Sequence, residues 1–166
     1  MTRLVLLSDT HIPKRARDLP ANLWREIESA DLVIHAGDWV DLETLGTLER
    51  RSRSVLAVYG NNDGPELQAR LPEVARKTVD GVRIAVVHET GPASNRERRM
   101  DAAFGHTNLL VFGHSHIPWD TVTPEGMRLL NPGSPTDRRR QPVGTFMTVD
   151  IDGTEVRDVR IVAVSA

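Results

Sequence analysis

Cysteine is missing from this chain of 166 residues. Disulfide frameworks and thiolate metal sites are therefore excluded. No apolar stretch approaches the ~20 residues that a membrane-crossing helix requires. The N-terminal apolar run, Leu4 to Leu7, is also shorter than the roughly 7–15 residues of a signal-peptide core. Neither sign of charge dominates: the net charge is -2 with 27% charged residues. That balance argues against avid nonspecific nucleic-acid binding. Repeats, low-complexity tracts and linkers are absent too, so residues 1–166 are read as a single domain of ordinary size. A cysteine-free chain suits a reducing compartment, and a soluble cytoplasmic protein with no membrane partner is expected.

What is present is a regular alternation of short apolar runs and amphipathic segments. Leu4–Leu7, Leu32–Ile34 and Val55–Val58 read as buried strands. Between them, residues 20–28 form an expected helix with Pro20 in its first turn. Asp41 is placed to cap a second helix that carries Leu42, Leu45 and Leu48 on one side. Asp63-Gly64-Pro65 opens a short third helix. Strand–helix alternation of this kind argues for a parallel sheet. Beyond residue 72 the texture changes. Val82–Val87 and Leu109–Phe112 read as strands. Ser94 and Glu97 suggest a capping box for a helix ending near Gly105. Segments near 119–123, 127–131, 144–150 and 155–162 read as strands joined by turns. The expected architecture is α/β: a four-layer αββα sandwich of two mixed sheets, face to face, flanked by helices.

Metal-binding side chains gather in Ser8-Asp9-Thr10-His11, Gly37-Asp38, Gly60-Asn61-Asn62-Asp63 and Gly113-His114-Ser115-His116, with His88 alone between the last two. Each follows an expected strand, and strand ends are where an α/β sheet brings distant residues together. If the extended conformation persists, Asp9 and His11 point the same way, as do His114 and His116. These four make a plausible cage. Gly37 allows the backbone to bend close to the site. Asp38 has two oxygens with which to bridge two cations, and Asn61 offers a neutral oxygen. Each motif alone is an ordinary turn or loop sequence. Their conjunction at strand ends suits two adjacent divalent cations, a pairing suited to phosphate-ester hydrolysis.

The order Asp-x-His, Gly-Asp, Gly-Asn-x-Asp, His, Gly-His-x-His resembles the calcineurin-like metallophosphoesterase superfamily. The length and Asn131-Pro132-Gly133-Ser134 resemble its small single-domain phosphodiesterase branch of bacteria and archaea. The resemblance implies that one cation takes Asp9, His11, Asp38 and His116, and the other Asp38, Asn61, His88 and His114. Asp38, Asn61 and His114 are the expected catalytic residues, and Asn61, Asn62 and Arg138 are expected to face a small phosphate-ester substrate. Two divalent cations, two carboxylates and a hydroxide leave the cluster near +1, which attracts a phosphoryl group. The implied reaction is in-line attack of a metal-bound hydroxide on phosphorus, with no covalent protein intermediate. Manganese or nickel is favoured by the resemblance; zinc, iron and cobalt suit the same His and carboxylate donors. The alternative is a noncatalytic scaffold on the same fold, like the retromer subunit, in which a histidine of the site is lost. A homo-oligomer is compatible with the sequence.

Two departures stand out. Many superfamily members have His where this chain has Asn62, and that His protonates the leaving oxygen; the small branch commonly has Cys there. His88-Glu89-Thr90 stands where the branch usually has His-Gly-His, leaving Glu89 either a supplementary ligand or a solvent-exposed side chain. Asp63 is read as a capping or supporting residue and His35 as a packing residue beside the site. His106 is read as exposed, and Arg96, Arg98 and Arg99 as mostly facing water. Trp24 is expected in the core, and Trp39 against the substrate's organic part. Arg138-Arg139-Arg140 has two open readings, steering of an anionic substrate and a solvated loop.

Overall fold

The structure, a computed structural model, describes residues 1–165. In chain order its elements are β1 (Thr2–Leu7), α1 (Ala21–Ser29), β2 (Leu32–His35), α2 (Leu42–Arg51), β3 (Val55–Ala57) and α3 (Pro65–Arg70). Then follow β4 (Val74–Val79), β5 (Val82–Val87), α4 (Arg96–Ala103), β6 (Leu109–Val111) and β7 (Trp119–Val122). The last three are β8 (Arg128–Asn131), β9 (Thr145–Asp152) and β10 (Glu155–Ala163). They form two mixed sheets of five strands, ordered β10-β9-β1-β2-β3 and β4-β5-β6-β8-β7. β1, β2 and β3 run parallel in the first sheet. β5, β6 and β8 do so in the second.

Period-two alternation explains how the sheets stack. Leu4, Leu6, Leu32, Ile34, Met147 and Val149 share one cluster with Ile84, Val86, Leu109 and Val111, which places it between the sheets. Val5, Leu7 and Val33 point the opposite way and pack on Leu23, Trp24 and Ile27 of α1 and Leu45 and Leu48 of α2. Ala85, Val87, Leu110 and Leu129 point away on the far side and meet Met100 of α4. The four layers match the expected architecture.

Local details depart from the sequence reading at three places. Asp41 caps α2 as expected, its Oδ1 accepting the Thr44 N–H at 3.0 Å. Pro20, however, is the residue before α1 rather than part of its first turn. The Ser94–Glu97 capping box does not form: α4 starts after Asn95, which has φ 53, and no side chain caps it. Glu97 instead accepts from Thr121 Oγ1 at 2.8 Å and from the Trp119 indole at 3.2 Å, tying α4 to β7. Strand β4 was not anticipated. It is an edge strand whose only buried residue is Ala75, so no apolar run marks it. Its hairpin to β5 turns through Asp80-Gly81, with φ 51 and 84, an Asp-Gly signal of the kind that favours two-residue hairpins.

Candidate metal centre

The donor-bearing loops leave the C-terminal ends of β1, β2, β3, β5 and β6 and meet in one place. Asp9 is fully buried, and His11, Asp38, His88 and His116 are buried as well. Two groups of donors lie within reach of a common ion: Asp9, His11 and His116, and Asp9, Asp38 and His88. His116 Nε2 is 3.6 Å from Asp9 Oδ1, and His11 Nε2 is 4.0 Å from the same oxygen. Asp38 Oδ2 sits between the groups, 3.5 Å from His11 Nε2 and 3.4 Å from His88 Nε2. Asp9 Oδ1 also reaches His88 Nε2 at 3.8 Å, so both carboxylates adjoin both groups.

Hydrogen bonds on the outer side of three of the donors decide which atom faces the centre. The Asp137 carbonyl accepts from His116 Nδ1, which leaves the Nε2 lone pair inward. The Ala36 carbonyl accepts from His88 Nδ1 at 2.7 Å, with the same result. Asp9 Oδ2 accepts from Ser8 Oγ at 2.8 Å and from the His114 N–H at 2.9 Å, leaving Oδ1 inward. Asp9 Oδ1, His11 Nε2 and His116 Nε2 are buried without any hydrogen-bond partner. Orphaned buried polar atoms are costly, and three acceptors aimed at one point fit a cation.

A second convergence lies beside it. Asn61 Oδ1 is 2.9 Å from His88 Nε2 and 3.0 Å from His114 Nδ1, and the two ring nitrogens are 3.3 Å apart. Three atoms that present lone pairs cannot lie so close without a proton or cation among them. Asp63 holds the two loops in register. Its carboxylate accepts the N–H groups of Asp38 at 3.0 Å, Gly60 at 2.8 Å and Val40 at 2.8 Å. Asn62 donates to Asp38 from its backbone at 2.9 Å and from its side chain at 2.8 Å.

Electrostatics sort the donors. Burial holds the His11 and His116 imidazoles below their usual range, hence neutral. Burial raises the Asp9 carboxyl to about 7 against the pull of His88. Asp38 also feels burial, but hydrogen bonding to and the charge of His88, together with the Asn62 donors, outweigh it and hold the carboxyl well below its ordinary value. His88 is lowered by burial and raised more by Asp38 and Asp9.

The convergence does not arise by strand alternation as expected. Asp9, His11, Asp38, His114 and His116 all have positive φ, between 47 and 76. The chain therefore leaves extended geometry at once, and His114 swings to the Asn61 side instead of joining Asp9, His11 and His116. Gly37 has φ 99, and a side chain there would lie 2.8 Å from Gly60 N and from His88 Nδ1. Its close approach is real.

The remaining site residues are placed as follows. Asn62 flanks Asp38. Glu89 is exposed, with Oε1 3.7 Å from His114 Nε2. Arg138 is exposed and donates to the Gln141 carbonyl at 2.7 Å. Trp39 does not face a substrate: it is fully buried, donates to the Val58 carbonyl at 3.0 Å and stacks on His35 at 3.6 Å between ring centres. His35 packs beside the site as expected. The Gly37 N–H donates to its Nδ1, so Nε2 carries the proton and donates to Thr10 Oγ1. Trp24 is core and His106 exposed. Arg96 corrects the expectation of a solvated helix face, since it is buried between the rings of Phe112 and Trp119. Sequence reasoning quoted Ser8 and Ser134 in their motifs without giving either a role, and missed Asp137. Ser134 Oγ donates to the Asp9 carbonyl at 2.8 Å, so Asn131-Pro132-Gly133-Ser134 latches the first donor loop.

This fold and this cluster define a metallophosphoesterase-type sandwich with donors suited to divalent cations. The chain belongs to the calcineurin-like phosphoesterase superfamily, whose domain model matches residues 2–154. A probable metallophosphoesterase of Methanothermobacter thermautotrophicus is 32% identical over 165 residues, covering 97% of this chain and 92% of its own length. A phosphodiesterase of Methanocaldococcus jannaschii is 24% identical over 132 residues, covering 69% and 73%. Among solved structures, a Thermotoga maritima protein matches with a TM-score of 0.77 at 34% identity, over 99% of this chain and all of its own. Vps29 of Entamoeba histolytica, complexed with zinc, shares the fold with a TM-score of 0.78 at 22% identity, over 98% of each chain. No helix among the described residues is long and apolar enough to cross a membrane.

Proposed function

We propose that this protein is a phosphodiesterase dependent on two divalent cations. Asp9, His11, Asp38 and His116 would hold one; Asp38, Asn61, His88 and His114 would hold the other. The observation that carries the reading is the pair of adjacent convergences, one of them made of three buried acceptors with no partner. The phosphodiesterase activity named for the M. jannaschii relative supports the substrate class. When bound, the cations supply Lewis acidity, which acidifies water and neutralises phosphoryl charge.

The residues set the rest. Asp38 is fixed by the two Asn62 donors, so the carboxylate between the groups cannot rotate away. His114 turns Nδ1 inward, so its proton sits on Nε2 at the rim, where it can donate to a phosphoryl oxygen. Asn62 has no proton to give a leaving oxygen, and its amide is engaged with Asp38. Aryl esters, whose oxygen leaves unaided, should therefore turn over faster than alkyl esters.

The test is hydrolysis of an aryl phosphodiester with manganese. Turnover that disappears with chelator and with Asp38→Asn is expected. No turnover with any divalent metal would overturn the reading in favour of a noncatalytic scaffold. Metal binding alone does not separate the two, because a Vps29 also binds zinc. His11, His88, His114 and His116 are all present here, which favours catalysis.

A further inference from the structure

The rim of the metal centre is electrically lopsided. On the His116 side, two loops meet: residues 12–18 and residues 136–141. Arg15 Nε lies 3.4 Å from Asp137 Oδ2, which joins them. Around this junction lie four cationic side chains, Arg15, Arg138, Arg139 and Arg140, against Asp137, in a chain whose net charge is -2. All four cations are exposed. Arg138, Arg139 and Arg140 form no ion pair among the described residues. On the His88 side the rim is acidic, with exposed Glu73 and Glu89 beside Asn61.

The arginine run is not a free loop tip. Asp137, immediately before it, accepts from His116 Nδ1 and donates its N–H to Ser134 Oγ at 2.8 Å. The loop that orients His116 thus delivers the arginines to its rim. Arg138, Arg139 and Arg140, with Ile117 and Gln141, surround a hollow of about 180 Å³ whose remaining wall includes His116 itself. Their carbon stems form most of that wall, and the three side chains are exposed to solvent. One imidazole ring separates the hollow from the donor cluster.

We propose that the exposed arginines around this hollow form a second-phosphate subsite, and that the preferred substrate is a phosphodiester one of whose arms carries a further phosphate. Guanidinium groups suit phosphate oxygens by charge and fork geometry. Glu73 and Glu89 repel such an arm from the opposite side, so the substrate binds in one orientation. The proposal rests on the phosphodiesterase reading and deepens it.

Two esters with the same leaving group test it: thymidine 5′-(4-nitrophenyl phosphate), with and without a 3′-phosphate, assayed with manganese at low salt. The 3′-phosphorylated ester should show a kcat/KM about tenfold higher or more. The ratio should fall toward one in R139A/R140A, and in the native protein at high salt, where exposed charges are screened. A ratio near one in the native protein, or a ratio unchanged in the variant, overturns the proposal. A 3′-methyl phosphate then separates the sources: a retained advantage assigns an oligonucleotide arm, and a lost one a terminal phosphate. If neither ester is hydrolysed, the phosphodiesterase reading fails, and the subsite stands or falls on calorimetry. Inorganic pyrophosphate should bind metal-stripped native protein at least tenfold more tightly than R139A/R140A. Equal binding overturns it.

Discussion

Asp63 touches no donor atom of the metal centre, yet its removal should be felt there. Its Oδ2 accepts the N–H groups of Asp38 and Gly60, and its Oδ1 that of Val40, at 2.8–3.0 Å. Burial pushes its carboxyl above the usual range, against the pull of those N–H groups. Donors cover both oxygens, so a carboxyl proton would have no acceptor, and the ionised form is the one that fits. Asp63→Asn keeps the shape. Its single oxygen can serve Asp38 and Gly60, but its NH₂ then faces the Val40 N–H. One hydrogen bond to a charged group is lost, about 1.5–3 kcal/mol, and two are reduced to neutral strength. The sum is roughly 3 kcal/mol. Val40 has φ 85, a demanding value for a β-branched residue, and is released by the change.

For a chain of this size each kcal/mol lowers Tm by about 2–4 °C, so metal-stripped Asp63→Asn should melt roughly 6–12 °C below the native protein. Manganese affinity should fall about 10–100-fold, as when partners of metal ligands are removed elsewhere. At saturating manganese, kcat should return to within a few-fold. A Tm within 2 °C of native would refute the hydrogen-bond reasoning. A kcat that stays collapsed at saturating manganese would put Asp63 in the chemistry instead of behind Asp38.

Other expectations follow from the same geometry. Metal affinity should rise with pH through about 7, where Asp9 loses its proton, and flatten only beyond the raised range of His88. Asp9, raised to about 7, must lose its proton to bind, as must His88, while His11 and His116 are already neutral; below that pH the gain should be tenfold per unit or steeper. Calorimetry in two buffers of different ionisation enthalpy reads the released protons, and a flat profile from pH 5.5 to 8 refutes the assignment. Asn62→His should speed alkyl diesters more than aryl diesters, and an equal response to both would remove the leaving-group argument. In Gly60→Ala the new Cβ would lie 2.2 Å from Asp38 Oδ1. Manganese binding should drop at least 100-fold with the fold intact by circular dichroism, and native-like binding would show that the loop yields.

The donors were legible because each sits just past an apolar strand, and a sheet collects strand ends whatever the loops do. Their convergence was legible for a partly wrong reason. Five of them turn through positive φ, and Asp and His carry no sequence mark for that conformation. Ala36 and Asp137 orient His88 and His116 through backbone carbonyls, which every residue possesses, so no residue type could reveal them. β4 escaped because an exposed edge strand needs no apolar alternation; only Asp80-Gly81 marked it. Trp39 looked like a substrate platform because it adjoins Asp38, yet the same turn that aims the carboxylate inward drives the indole into the core.

The five positive-φ donors also bear on whether the metal centre is assembled before any cation arrives. Left-handed backbone costs a non-glycine residue about 1 kcal/mol or somewhat more, so the set stores roughly 5 kcal/mol, a large share of the 5–15 kcal/mol that stabilises a typical domain. Asp and His tolerate the conformation better than most residues, but they do not prefer it. The Asp63 carboxylate, the Ser134 latch on Asp9 and the carbonyls behind His88 and His116 hold the strain in place. Nothing in the packing of the two sheets requires it, since the strained residues lie beyond the strands that build the core. Strain that the surroundings over-determine is what a preorganised site needs. Manganese should therefore raise Tm without changing the circular dichroism spectrum, because the donors are already assembled. A large spectral change on loading would mean that the metal folds the loops, and the strain would then explain nothing about function.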